Sequence, residues 1–190
     1  HRQSSAASDV YKRQPFNIPS GSMIPTLLVG DYLFVTKYSY GYSRYSFPFG
    51  LAPIKDRVFS EDRTPQRGQV AVFRLPSDTS VDYIKRIIGL PGDRVQVRHG
   101  LLHINGKPIE RRMIGNGVQA ASRGGQISTL YEEILPEDKI HVIQEISDQQ
   151  MFDNTPEFVV PAGHYFMMGD NRDNSRDSRS SSVGLSLIHI

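Results

Sequence analysis

Three short strings bring together residue types that can do acyl-transfer chemistry. The first is Pro19-Ser20-Gly21-Ser22-Met23-Ile24-Pro25-Thr26-Leu27. A nucleophilic serine needs a stiff, exposed turn, because its Oγ must meet a carbonyl carbon in one geometry. Gly21 between two serines permits backbone conformations that a Cβ would forbid. The alternative is an ordinary Ser/Pro/Gly loop. The second string runs from Asp82 to Asp93 through Tyr83-Ile84-Lys85-Arg86-Ile87-Ile88. Strand alternation puts Tyr83, Lys85 and Ile87 on one face and Ile84, Arg86 and Ile88 on the other. A lysine among isoleucines is either a snorkelling, edge-protecting side chain or a buried amine kept neutral. With a free pKa near 10.4, only about one lysine in 2,500 is deprotonated at pH 7. Desolvation would have to lower it by about 3 units, roughly 4 kcal/mol, as buried lysines do show.

The third string is Gly169-Asp170-Asn171-Arg172-Asp173-Asn174-Ser175-Arg176-Asp177-Ser178-Arg179. It fits a calcium loop poorly. Counted from Asp173, Ser178 stands where such a loop needs glycine and Gly184 where it needs glutamate; counted from Asp170, the third position is Arg172. The expectation is a loop held by internal Asp–Arg pairs, with a serine hydroxyl aimed at something. The six histidines (His1, His99, His103, His141, His164, His189) lie outside all three strings. No histidine-based triad has a candidate, so a serine nucleophile needs another base, and a desolvated lysine is the available one.

The elements that must position these strings read as strands. Helical periodicity is nearly absent. Tyr32–Lys37, Gln69–Leu75, Tyr83–Leu90, Arg94–Arg98, Leu101–Ile104, Lys139–Glu145 and Glu157–Pro161 are rich in Val, Ile, Phe and Tyr and bounded by Gly, Pro, Asp and Asn. Asn105-Gly106 is a hairpin signal, and Pro91-Gly92-Asp93 and Pro161-Ala162-Gly163 are further turns. The pattern predicts an all-β barrel or sandwich of antiparallel sheets. Tyr38–Pro65, long and rich in Tyr, Phe, Pro and Gly, is expected to project as a ribbon; the polar, irregular 109–155 reads as an inserted smaller subdomain. The first catalytic part is placed at 15–108 and the last at 156–185. Residues 1–14 and 186–190 resemble translated adapter sequence and read as non-native tails.

Composition narrows the function classes. Among 190 residues, 22 basic and 20 acidic side chains give a net +2, and the first fourteen residues supply all of it. The rest is neutral and shows no basic stripe for nucleic acid. With no cysteine, disulfides and thiolate metal sites are unavailable. No run approaches the roughly 18 apolar residues of a spanning helix.

Taken together and in order, the strings resemble the motif blocks of the type I signal peptidases. Phe16–Met23 resembles the nucleophile block, Gly30-Asp31-Tyr32 to Tyr40-Gly41 its continuation, and Arg67–Phe73 the next. Asp82–Asp93 resembles the lysine block and Gly169–Arg179, led in by Pro161–Met168, the last. The resemblance spans roughly Pro15 to Leu185 and is weakest in Ile109–Gln150. It implies a signal-peptidase-like β fold and a serine endopeptidase that cuts after A-x-A-like sites in exported preproteins. By the same resemblance Ser22 is the nucleophile and Lys85 the general base, and the Ser22 amide and Ser20 hydroxyl form the oxyanion hole. Ser175 hydrogen-bonds the lysine amine, and Asp177 and Arg179 brace the loop. Phe16, Ile18, Met23, Leu27, Tyr83 and Ile84 line the substrate pockets. No cofactor and no metal are implied. The implied partners are signal-peptide-bearing preproteins and a membrane lipid surface, with the catalytic domain on the extracytoplasmic side of the plasma membrane and an anchor expected before the first block. Two other readings remain: a self-cleaving repressor-type protease with the same Ser/Lys pair, and a non-catalytic β module that binds peptides by strand addition. The aromatic Tyr38–Ile54 stretch is further expected to sit at a bilayer interface.

Overall fold

The computed structural model describes residues 13–36, 64–75, 78–118, 127–181, 183, 184, 186 and 187. Among them only strands and short 3-10 turns occur, and every strand pairing is antiparallel. The strands are β1 (Arg13–Asn17), β2 (Tyr32–Thr36), β3 (Val70–Leu75), β4 (Asp78–Gly89), β5 (Arg94–Arg98), β6 (Leu101–Ile104) and β7 (Lys107–Pro108). They continue as β8 (Glu110–Val118), β9 (Ile127–Leu135), β10 (Lys139–Glu145), β11 (Phe158–Val159), β12 (His164–Met168) and β13 (Ser186–Leu187). Four sheets result, ordered β1-β2, β10-β9-β8, β11-β5-β6-β7 and β13-β12-β4-β3. This is the expected all-β, antiparallel class.

Strand β4 is the spine. Its alternation sends Ile88 into a core with Val95, Val97, Leu102, Ile104, Leu135, Val160, Phe166 and Met168. Ile87 goes into a second core with Ala71, Phe73, Tyr165 and Met167. The neighbouring β12 divides the same way, Phe166 and Met168 to the first core and Tyr165 and Met167 to the second. At Gly89 the strands come so close that a Cβ would lie 2.8 Å from Val95 and 2.9 Å from the Phe166 Cβ. Asn105 and Gly106, at φ 54° and 77°, make the tight turn from β6 to β7. Both residues at positive φ is what a two-residue hairpin asks for.

Four sequence expectations meet different outcomes. Strand β1 begins at Arg13, two residues before the boundary placed at Pro15. Ser186 and Leu187, assigned to a foreign tail, pair with Tyr165 and His164. The segment read as irregular between Ile109 and Gln150 holds, besides the expected β10, two further strands of nine residues each. The ribbon expected over Tyr38–Pro65 lies, except for its last two residues, outside the described residues.

Candidate active site

Ser22 sits in a 3-10 turn, Gly21–Met23, between β1 and β2. Ser20 before it is extended, at φ −132° and ψ 149°. Backbone bonds from Ile18 N to the Asp31 carbonyl and from Gly30 N to the Ile18 carbonyl tie the whole loop across its base. The turn is also held from the far end of the chain. Asn171 N donates to the Ser22 carbonyl at 3.1 Å, and Asn171 Nδ2 donates to the Gly21 carbonyl at 2.9 Å. Gly169 lies directly beneath: a Cβ there would stand 2.5 Å from the Ser22 carbonyl oxygen and 2.2 Å from Ser175 Oγ. Only glycine fits this approach.

Lys85 reaches the same turn from β4. Its Nζ donates to Ser22 Oγ at 2.7 Å and to the Ile84 carbonyl at 2.9 Å, and lies 5.1 Å from the centre of the Tyr83 ring. The side chain is buried, with 4% of its surface exposed. Burial lowers the amine from 10.5 to about 8; the more distant charges of Asp177 and Asp170 pull it back up, and Arg179 pushes it down. A hydroxyl held against an amine that can shed its proton near neutral pH is the arrangement that activates a nucleophile. Ser20 Oγ is 3.4 Å from Ser22 Oγ, on the exposed side of the turn.

The Gly169–Arg179 loop carries the supports. Asp177 is fully buried and accepts hydrogen bonds from the Gly169 amide, from the Arg179 amide and from Arg179 Nε and Nη2. Burial opposes its charge, but Arg179 and these hydrogen bonds hold the carboxyl below the usual carboxylate range. Arg179 also donates to the Arg172 carbonyl at 2.6 Å. The expected internal Asp–Arg pairing is therefore Asp177–Arg179. Asp170 pairs outside the loop, with Arg86 on β4, at 2.8 Å and 2.6 Å. Asp173 accepts from the amides of Ile146 and Ser147. Ser175 is buried against Gly169, and its Oγ makes no hydrogen bond to Lys85.

Of the residues expected to line the substrate pockets, Tyr83, Ile84, Phe16 and Leu27 are partly exposed. Met23 and Ile18 are closed off from solvent. Sequence reasoning gave no role to Arg86, Thr26 or Glu133. Arg86 and Asp170 share a compact cluster with Thr26, whose Oγ1 donates to Asp170 at 2.5 Å. The placement of Arg86 opposite Lys85 on β4 was a usable signal for that cluster. Glu133 lies on β9 and meets Arg172 of the loop; nothing in its local sequence marks it.

A family model described as signal peptidase, peptidase S26, matches residues 5–187. Signal peptidase I of Rickettsia conorii is 45% identical over 174 residues, covering 87% of this chain and 64% of that protein. Signal peptidase I of Rickettsia typhi is 46% identical over 174 residues, with the same two coverages. The chain thus spans 64% of the length of these curated relatives. A crystal structure of a signal peptidase I from Enterococcus faecalis is 26% identical and covers 66% of this chain and 91% of that one, at a TM-score of 0.38.

Proposed function

The chain belongs to the signal peptidase family, peptidase S26, and from that membership we propose that it is a serine endopeptidase removing signal peptides from exported preproteins with a Ser22/Lys85 dyad. The observation that carries this reading is the 2.7 Å contact between Ser22 Oγ and a buried lysine amine that forms no ion pair among the described residues. In the neutral form Lys85 takes the Ser22 proton as Oγ attacks the scissile carbonyl carbon. The Ser22 amide and Ser20 hydroxyl donate to the oxyanion. Protonated Lys85 then gives its proton to the leaving amine, and water, deprotonated by the same lysine, hydrolyses the acyl-enzyme.

The substrate is placed along β4. Asp82–Lys85 pairs with β3 on one side, whereas β12 pairs only from Arg86 onward. The other edge of Asp82–Lys85 therefore has no strand partner among the described residues, and it leads to Lys85. An extended peptide added there would turn the two small residues of an A-x-A-like pattern to one face of the sheet and the middle residue to the other. Ser22→Ala is expected to abolish precursor cleavage and leave the melting temperature within a few degrees, since a single hydroxyl contributes little to stability. Cleavage by Ser22→Ala at the wild-type rate would remove the mechanism.

A lipid surface is the proposed setting, with the catalytic domain on its extracytoplasmic side. Tyr32 and Phe34, on one face of β2, are 76% and 74% exposed, and Leu28 and Val29 beside the nucleophile turn are also exposed. Exposed aromatic and aliphatic side chains suit a bilayer interface. Co-sedimentation with neutral phosphatidylcholine vesicles is expected for the wild-type chain and should fall several-fold for Tyr32→Ser/Phe34→Ser. Equal binding by the two would exclude this face as the contact.

A further inference from the structure

The loop that supports the nucleophile is gripped from the side away from Ser22 by the sheet β8–β10. Three contacts make the grip. Gln144 N on β10 donates to the Asp170 carbonyl at 2.8 Å. Asp173 accepts from the Ile146 and Ser147 amides at 2.6 Å and 3.2 Å. Between them, Arg172 Nη1 and Nη2 donate to the two oxygens of Glu133 on β9, at 2.8 Å and 2.5 Å. Glu133 is 1% exposed and Arg172 2%. The first contact uses backbone groups that any sequence could supply, and the last needs one carboxylate side chain set against backbone amides; neither joins two side chains. The middle one does.

A buried ion pair is a poor device for stability alone, because desolvating both charges offsets most of their attraction. Its strength is direction. The guanidinium is a rigid planar fork, so fixing two of its nitrogens fixes where the third points. Here the third, Nε, donates to the Gly169 carbonyl at 3.3 Å. Gly169 is the residue on which the Ser22 carbonyl rests, with no space for a Cβ between them. Two residues on, the Asn171 amide holds that same carbonyl. A line of contacts thus runs from Glu133 through Arg172 and Gly169 to the backbone of the nucleophile. His141 on β10 lies 3.3 Å from the Glu133 carboxylate and completes its enclosure.

We propose that Glu133, on a strand outside every motif block, is a positioning residue for the proposed nucleophile, acting through Arg172 to set the height of the Ser22 turn against Lys85. The claim rests on the Ser22/Lys85 reading for its kinetic part and on geometry alone for its structural part. The test uses the present chain with three variants. Glu133→Leu/Arg172→Met replaces the pair by apolar groups of similar size, a change that buried pairs tolerate with little loss of stability. Glu133→Gln keeps the size and one acceptor oxygen. Leu135→Ala, two residues along β9 in the hydrophobic core, destabilises the sheet without touching Arg172.

Melting temperature, kcat and KM on a secretory precursor, and amide exchange at Asn171 are measured for each. The double variant is expected to melt near wild type. Its kcat should nevertheless fall about 10²-fold, the usual consequence of a misplacement near 1 Å, with KM nearly unchanged. Its Asn171 amide should exchange about tenfold faster, a loss of roughly 1.4 kcal/mol in protection. Leu135→Ala should lower the melting temperature and leave kcat and Asn171 exchange close to wild type. Wild-type kcat and Asn171 protection in the double variant would overturn the proposal. Equal losses in Leu135→Ala would do so too, by showing general loosening. If the double variant does not fold, Glu133→Gln is judged by the same two readouts. A chain that never cleaves precursor would sink the dyad reading only; Asn171 exchange would still decide the positioning claim.

Discussion

Lys85 and Arg86 are consecutive cations on β4, with 4% and 7% of their surfaces exposed, and the two faces of the strand treat them in opposite ways. On one face Arg86 is held at all three nitrogens: it binds both oxygens of Asp170, the Gly68 carbonyl and Thr26 Oγ1. On the other face Lys85 touches one hydroxyl and one carbonyl, and among the described residues no carboxylate makes an ion pair with it. A cation held at every nitrogen is a fixed strut. A buried amine with spare donors and no carboxylate in ion-pair contact holds its proton less tightly, which a general base requires. The same burial therefore yields a structural member or a reactive one, depending on where a single aspartate stands.

The sharpest way to break this contrast is to make the two faces alike. Lys85→Arg puts a second guanidinium beside Ser22, and because that group stays protonated at usable pH, precursor cleavage should drop by about 10⁴-fold or more. Residual activity near wild type would show that Lys85 is not the base. Removing the strut is the next largest effect. Arg86→Met leaves Asp170 buried without its cation, a loss of about 3–5 kcal/mol that should lower the melting temperature by roughly 10 °C. A shift of a degree or two would mean that Thr26 and the loop carry Asp170 unaided.

The opposite sign is expected for Lys85→Met. A lysine lowered from 10.5 to about 8 burdens the folded state at neutral pH by about 3 kcal/mol, so the methionine variant should be inactive and about 1–2 kcal/mol more stable at pH 7. Destabilisation by the same substitution would place Lys85 with Arg86 as a structural cation. The smallest effect is the titration itself. Cleavage should rise about tenfold per pH unit on the acid side and level off near pH 8, where the amine becomes neutral. Between about pH 8 and 10.5 the unfolded chain binds more protons at Lys85 than the folded one, so this residue's contribution to stability rises with pH across that window. The rise should be missing in Lys85→Met.

What the sequence disclosed follows from where apolar side chains alternate. Strands β5 and β6 match their expected limits residue for residue because each buries Val, Ile or Leu at period two; β10 matches its limits as well, and β4 appears with Lys85 and Arg86 on the same strand. Strands β8 and β9 went unrecognised for a physical reason. Their sheet buries Ser128, Glu133, Gln144 and Glu145, so polar atoms satisfied by hydrogen bonds stand where hydrophobes usually make the pattern. Strand β8 further contains Gly115 and Gly117 and shifts register there. The candidate site divides along the same line. Ser22 and Lys85 were marked as candidates by their local strings and given roles only by the ordered resemblance of the blocks, and the structure brings the two side chains to 2.7 Å. The partner of Asp170 lies 84 residues away and that of Arg172 lies 39 away, distances over which a string of residues carries no pairing information.

The hydrogen bond from Asn171 to Gly21 spans 150 positions of the chain, and the one between Lys85 and Ser22 spans 63. Contacts this remote close only after the intervening sheets have formed, since each must first overcome the entropy of its loop. The Lys85–Ser22 contact, the proposed dyad, is therefore expected to form late in folding. On the proposed function, a chain assembled in this order would gain its activity only late, when the Gly169–Arg179 loop settles beneath the Ser22 turn.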